Sequence, residues 1–326
     1  MKHTLSADGY CYKLRPVTIE DAEFIINLRM NDTDRTKFIH PIPLDIDAEK
    51  NWLNRYFQRD NDYFFIIEDK MEQRPVGTIA IYDIEEERGE WGRWVIEKGS
   101  MASAESVYLL YQIAFSKLHL EELFCRTVEN NVAVTAFHSS SGLATRAVLQ
   151  NFFCLNGVSY NAVEQYVTKE NFISTVSCKL EQHVRMIFQR MLRSHVGKFE
   201  FHHIGIACTD IVREEMAYRM LGYHFELDTF TDENQGIMGK FGEANGQPRI
   251  ELLANLEGQH TLTPYLQKGI KMYHYAYCVS DIEKAGKFLE KNRAKVMSPL
   301  KKSAYFEKRI CFYMLPNMLL VELVEE

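Results

Sequence analysis

From residue 199 onward the chain repeats itself at one fixed offset. His203-Ile-Gly-Ile-Ala-Cys-Thr-Asp-Ile runs in register with His274-Tyr-Ala-Tyr-Cys-Val-Ser-Asp-Ile, and Ile250-Glu-Leu-Leu with Val321-Glu-Leu-Val, each pair displaced by 71 residues. Such a match marks a duplicated supersecondary unit whose copies bury their apolar faces together. Each copy holds a His and a Glu 48 residues apart, on stretches that read as strands. A lone strand His is usually a satisfied, partly buried side chain, and a strand Glu usually faces solvent. Conserving a fold would preserve only the apolar positions, so four ligand-type residues in one register ask for more. Two nitrogens and two carboxylates suit a divalent Zn, Mn, Fe, Co or Ni ion, and the pattern does not choose among them. His203, Glu251, His274 and Glu322 are therefore the candidate metal ligands.

The repeat accounts for the last 128 residues of 326, and the total length is that of about two domains of roughly 150 residues. We expect a domain over residues 1–175, a linker helix over 176–198 and the duplicated domain over 199–326. Lys plus Arg number 38 against 45 Asp plus Glu, a formal charge of -7, which gives no broad basic surface for nucleic acid. The seven cysteines are odd in number, scattered and without a Cys-x-x-Cys pair, which suits a reducing cytoplasm and suggests neither a disulfide framework nor a thiolate zinc site. The first residues lack an apolar signal core, and no stretch approaches the roughly 18 apolar residues of a spanning helix. Neither nucleic acid nor a membrane is an expected partner.

The first half mixes both periodicities. A strand ending at Arg15-Pro16 leads to a helix capped by Thr18 with Asp21 three residues on, and a second helix follows in DIDAEKNWLNRYF. Strands are expected at 63–69, 76–84 and 90–96, a helix at 103–118, a strand at 121–129, a helix at 132–140, a strand region before 170, and a polar amphipathic helix over 177–193. The loop Glu97-Lys98-Gly99-Ser100-Met101-Ala102 opens the helix at Ser103, whose free backbone N–H groups could hold a pyrophosphate. LRPVTIEDAEFI, VGTIAIYDI, EWGRWVI and TVENNVAVTAFHSSSGL occur in an order that resembles the GNAT acetyltransferases over roughly residues 10–170. That family's loop usually reads Gln/Arg-x-x-Gly-x-Gly/Ala, whereas here only Gly99 survives, in GSMASAES, similar to acetyltransferases of sugar and surface-polysaccharide pathways. The resemblance implies acetyl-CoA bound by Gly99, Ser100, Ser103 and Asn131. It also implies His138 as the acid for the departing thiolate. Acetyl transfer to an amine also needs a base, for which Glu90 at the head of its strand is a candidate, against the plainer reading of an exposed strand-end Glu. Trp91 and Trp94 either line an acceptor pocket or belong to the aromatic core.

The repeat in turn resembles the vicinal oxygen chelate superfamily, in which paired βαβββ modules curve around a divalent ion. HIGIA at 203–207, IELL at 250–253, YHYAY at 273–277 and VELVE at 321–325 look most like methylmalonyl-CoA epimerase, with glyoxalase I a close relation. The resemblance implies the four ligands named above, with open coordination positions for substrate oxygens. One departure stands out, because Gly239 occupies the strand position where such epimerases can carry a catalytic carboxylate. Asp232, Glu233 and Lys240 nearby read as solvated loop charges; the base would be Glu322, as the resemblance to glyoxalase-type mechanisms implies, or a residue of the 228–240 loop. A ring-cleaving dioxygenase, with two His and one carboxylate on iron, is less attractive given Glu251 as a fourth ligand.

The expected fold is α+β, a GNAT mixed sheet flanked by helices and then a paired βαβββ module. The expected function is a bifunctional enzyme, an acetyl-CoA-dependent N-acetyltransferase with a metal-dependent isomerase, epimerase or lyase acting next to a carbonyl. The alternative is a single-activity acetyltransferase with a non-catalytic C-terminal module. Expected partners are a small-molecule amine, by resemblance an amino sugar on a nucleotide or lipid carrier, and a second copy of the chain as a homodimer.

Overall fold

The computed structural model describes residues 3–32 and 36–326. The chain folds as two compact units, Met1–Gln189 and Arg190–Glu326. In the first, eight strands form one mixed sheet: β1 (Ala7–Asp8), β2 (Tyr12–Pro16), β3 (Tyr63–Asp69), β4 (Arg74–Glu85), β5 (Arg88–Ile96), β6 (Glu122–Val128), β7 (Ala144–Leu155) and β8 (Val158–Thr168). Their order is β1-β2-β3-β4-β5-β6-β8-β7, antiparallel at every step except β5 to β6. The expected cap is present at Thr18, whose N–H donates to Asp21 Oδ2 at 2.8 Å. It closes a 3₁₀ turn, Ile19–Asp21, and α1 (Ala22–Met30) follows directly. α2 (Ile46–Tyr56) starts at Asp45, whose side chain accepts from Asp47 and Ala48 N–H. Val17, Ile25, Leu53, Tyr56, Phe64 and Ile66 bury the seam between these helices and the sheet.

The expected helix over 103–118 is α3 (Ser103–Gln112), which widens into a π turn at Ile113–Lys117. α4 (Val132–Ser140) follows β6. The sequence reading misses a hairpin, since β7 and β8 pair Leu155 with Val158 across a two-residue turn. Asn156 and Gly157 sit there at φ 51° and 80°, the positive values that such a turn demands.

α5 (Ser177–Val196) carries the chain into the second unit. That unit's strands are β9 (Phe199–Ala207), β10 (His224–Phe225), β11 (Phe230–Asp232), β12 (Ile237–Glu243), β13 (Ile250–Asn255), β14 (Met272–Val279), β15 (Lys295–Lys302), β16 (Arg309–Met314) and β17 (Leu320–Glu325). The sheet order β10-β12-β13-β9-β14-β17-β16-β15 places β9 and β14, the first strands of the two copies, side by side at the centre. Each is followed by a helix, α6 (Ile211–Arg219) or α7 (Ile282–Lys291), and each returns through a strand parallel to it, β13 or β17. Even the helix caps repeat: Asp210 accepts from Arg213 N–H at 3.1 Å and Asp281 from Lys284 N–H at 3.0 Å. The helices bury Ile211 and, in the second copy, Ile282, Ala285 and Leu289 against the sheet. This leaves the opposite face of the central strands for His203 and His274.

Candidate functional sites

The four repeat-related residues meet. His203 Nε2 lies 3.1 Å from both Glu251 Oε2 and His274 Nε2, while Glu322 Oε2 is 3.5 Å from His203 Nε2 and 3.3 Å from His274 Nε2. All four side chains are buried, and one ligand atom from each falls within 4.8 Å of the others. The register explains the convergence. Glu251 sits opposite Gly205 across β13 and β9, Glu322 opposite Ala276 across β17 and β14, and β9 and β14 pair His274 with Gly205 and His203 with Ala276. Gly205 and Ala276 are themselves repeat equivalents.

Charge tells what belongs among them. Two carboxylates buried against each other are a state proteins avoid unless the charge is neutralised by protons, paired or used to coordinate a metal. Burial pushes Glu251 up to about 7 and His203 down to about 3, so His203 presents a neutral ring nitrogen. Burial also opposes the imidazolium of His274, but the neighbouring Glu322 and Glu251 outweigh it and raise the group above its usual value. Glu322 Oε2 has no hydrogen-bond partner among the described residues. With bonds of about 2.0–2.1 Å, ligand atoms around one divalent ion sit about 3.0–3.4 Å apart, so this donor set fits such an ion. Behind the ligands, His203 Nδ1 is 2.7 Å from His202 Nδ1, a contact that fixes the ring from its far side.

Gly205 makes the approach possible, since a Cβ there would meet the His274 ring at 2.3–2.7 Å. Gly205→Ala is expected to cost about 1–3 kcal/mol by forcing that ring aside. Thermal unfolding with and without added zinc should show both a lower Tm and a smaller metal-induced rise than the parent.

Gly239 has an explanation in packing. A Cβ there would meet Phe230 at 2.3 Å and Leu253 at 3.0 Å, because Phe230 lies across from it in the β11–β12 pair. An aromatic ring occupies the space a catalytic carboxylate would need. Phe230 joins Phe241, Tyr305 and Phe306 in a wall beside His203. The nearby charges differ from expectation. Asp232 is buried, because its carboxylate accepts from Gln235 N–H and Ala304 N–H, and Lys240 pairs with Glu215 at 2.8 Å. Only Glu233 is an exposed loop charge.

In the first unit, β5 and β6 pair only from Arg88 with Glu122 to Glu90 with Phe124, and then part. The parting opens a cavity of about 890 Å³ whose lining includes Trp91, Trp94, Ser100, Ser103, Asn131 and His138. A register shift in the β4–β5 pairing accompanies it. Arg93 sits at φ 47° and Thr78 Oγ1 donates to its carbonyl at 2.7 Å, a bulge of the kind that re-aims a strand beside a site. Gly99 also has positive φ, 88°, before the N-terminus of α3. Ser100 Oγ accepts from Ala102 N–H at 3.3 Å, and Asn131 caps α4 without a side-chain hydrogen bond.

His138 is buried against Trp91 and Trp94, with ring centroids 5.0 and 5.8 Å away. Burial drives it down to about 4, and a Gln165 contact offsets only part of that, so the ring is neutral at pH 7. Its Nδ1 lies 3.3 Å from Cys125 Sγ, and its Nε2, like Trp91 Nε1, is buried without a hydrogen-bond partner among the described residues. Both tryptophans are therefore packed and cavity-lining at once. Glu90 is not brought to the cavity lining. Its carboxylate accepts from Arg126 Nη1 at 2.7 Å, and burial raises it, although the Arg126 charge opposes that.

Residues 12–144 match the acetyltransferase (GNAT) domain model, and residues 202–312 match that of the glyoxalase/bleomycin resistance protein/dioxygenase superfamily. No curated protein matches the chain. Among solved structures, a GCN5-related N-acetyltransferase from Brucella melitensis is 16% identical, covering 56% of this chain and 86% of its own, at a TM-score of 0.51. An apo nucleotide-linked sugar GNAT is 28% identical over 54% of this chain and 98% of its own, at a TM-score of 0.45. A spermidine N-acetyltransferase variant from Vibrio cholerae is 16% identical over 51% of this chain and 98% of its own, at a TM-score of 0.46. The parted strands and the buried two-His, two-Glu cluster thus lie in two different domains, and the chain joins a GNAT acetyltransferase domain to a domain of the glyoxalase/bleomycin resistance protein/dioxygenase superfamily.

Proposed function

We propose that the chain is a bifunctional enzyme. Its first unit moves an acetyl group from acetyl-CoA to the amine of a small molecule, and its second carries out a metal-dependent isomerisation, epimerisation or elimination next to a carbonyl. The observation that carries the reading is the pair of built but unsatisfied centres: partnerless Trp91 Nε1 and His138 Nε2 beside the parted strands, and the buried cluster around Glu322.

In the first unit, Gly99, Ser100, Ser103 and Asn131 would hold acetyl-CoA, with the free N–H groups of the first α3 turn toward its pyrophosphate. His138, neutral and donating from Nε2 while Nδ1 faces Cys125, would stabilise the charge that develops as the thioester opens. Glu90 holds Arg126 in the cavity wall, a positioning role. The acceptor reading, an amino sugar on a nucleotide or lipid carrier, rests on the sequence of the 99–103 loop. All seven cysteines are unpaired, which supports the cytoplasmic reading, and a homodimer is the assembly proposed. Ser103→Glu is expected to weaken acetyl-CoA binding at least tenfold, because it sets a like charge against the phosphates. Calorimetry tests this, and an unchanged affinity would remove the binding site from α3.

In the second unit, His203, Glu251, His274 and Glu322 would hold the divalent ion, which when bound supplies Lewis acidity toward substrate oxygens beside an acidic C–H. Glu322 is the proton acceptor of the proposal, its buried Oε2 without a hydrogen-bond partner among the described residues and 3.3 Å from His274 Nε2. Solvent deuterium exchange into thioesters and keto sugars, followed by NMR on metal-loaded protein, is expected to vanish in Glu322→Gln. A second reading, a metal-binding module without chemistry, is favoured by Phe230 filling the space beside Gly239. Absence of exchange with every compound would select it.

A further inference from the structure

The ionisable residues that line the cavity of the first unit are lopsided in sign. Arg29, Lys37, Arg93 and Arg126 face a single carboxylate, Glu49, among the described residues. Two of the cations are already satisfied. Arg93 forks onto Asp62 at 2.6 and 2.9 Å, and Arg126 bridges Glu90 at 2.7 Å and Glu164 at 2.9 Å. Among the described residues, Arg29, on the last turn of α1, has no carboxylate within 4.0 Å, gives Nη2 to the His40 carbonyl at 2.6 Å, and keeps a buried Nε without a partner. Glu49, on the first turn of α2, is 8% exposed; its N–H donates to the Asp45 carbonyl at 3.1 Å, while its carboxylate makes no hydrogen bond or ion pair within 4.0 Å among the described residues. Each acts on the other from a distance and offsets part of the cost of burial, but a guanidinium and a carboxylate held apart on one partly desolvated wall are costly unless a group carrying both charges comes between them.

We infer that the acetyl acceptor is a zwitterionic amine, whose phosphate or carboxylate is held by Arg29 and whose ammonium faces Glu49. The inference rests on the acetyltransferase reading and narrows it. A guanidinium donates in a planar fork that matches either anion, and a buried Nε–H with no partner is the donor such an anion completes. Lys37 adds a second positive charge to the same lining. A polyamine has no anion to offer and would bring further positive charge to a wall that already carries it. No local pattern announces this pair, since Arg29 and Glu49 are ordinary helix-surface residue types until the fold brings both to the lining of one cavity.

The test measures binding to the full chain by calorimetry, with coenzyme A present so that the cofactor's own phosphate sites are filled. The probes are glucosamine, glucosamine 6-phosphate, glucose 6-phosphate, glucosaminic acid and spermidine. At least one of the two anionic amines is expected to bind about tenfold or more tighter than glucosamine, and which of them does so distinguishes phosphate from carboxylate. Arg29→Gln should remove that gain while glucosamine binding stays within about twofold, and Arg29→Lys should restore part of it. Glu49→Gln should bring glucosamine 6-phosphate down to the affinity of glucose 6-phosphate. Equal binding of neutral and anionic amines, tighter binding of spermidine, or an anionic gain that survives in Arg29→Gln would each overturn the inference. Failure of coenzyme A itself to bind the parent chain would instead overturn the acetyltransferase reading, and the Arg29 contrast can be read without the cofactor.

Discussion

His203→Ala and His274→Ala are each expected to lower metal content from about one divalent ion per chain to less than a tenth under the same dialysis. Mutating a residue that only supports a ligand typically costs 10–100-fold in affinity, so removing a ligand itself should exceed about 100-fold. The ion also links to folding. At a free concentration about 1,000 times its dissociation constant it stabilises the parent by about 4 kcal/mol, which for a unit of this size raises Tm by about 8–16 °C. Both variants should lose that rise and leave the first unit's transition unmoved. Mass spectrometry of the metal together with differential scanning calorimetry provides the check. Metal retained at full occupancy in both variants would place the site elsewhere and deprive the 71-residue repeat of its chemical meaning.

His138→Ala should reduce kcat for acetyl transfer about 100-fold, at the lower end of what a positioned proton donor contributes, with the acetyl-CoA KM within about threefold. Because burial holds His138 down to about 4, its protonation adds no step to the parent's kcat between pH 6 and 8. The linkage to stability has a definite sign. A histidine depressed from 6.5 to about 4 contributes stability that is fully present above pH 6.5 and is lost as pH falls through 4. Acid unfolding of the first unit should therefore begin at lower pH in His138→Phe, which removes the titrating group while keeping a ring between Trp91 and Trp94. Release of the coenzyme A thiol, followed with the best amine from the probe set, gives the kinetic answer. A kcat that steps near pH 6 and survives the Ala substitution would exclude His138 from the reaction.

The two sites differ in how far the sequence exposes them. Duplication writes the His/Glu cluster into the chain, because identical spacing in both copies puts four candidate ligands at equivalent strand positions before any contact is known. The acyl cavity has no such internal copy. The bulge at Arg93, the pairing of Glu90 with Arg126 and the placing of Arg29 and Glu49 on one cavity wall all depend on tertiary register, which no local pattern encodes. Asp232 misleads for the same reason: its backbone donors come from Gln235 nearby and from Ala304, far along the chain. The β7–β8 hairpin was legible in principle. Asn156-Gly157 between apolar runs is a strong hairpin signal, and the long polar alternation of β7 hides it.

If the second unit binds an ion as proposed, the central pairing of β9 with β14 would make each half a two-toothed chelator and the whole a four-toothed one. Grip therefore multiplies only while the seam between those strands stays shut. If it breathes open, an ion there would keep only one His and one Glu, although all four side chains are buried when the seam is closed. Exchange of metal between protein and solvent becomes a clock for seam opening. The amides of β9 and β14 should exchange hydrogen at a rate that falls as the ion binds, and the lifetime of the loaded state is then set by the backbone ladder as much as by the strength of any single ligand bond.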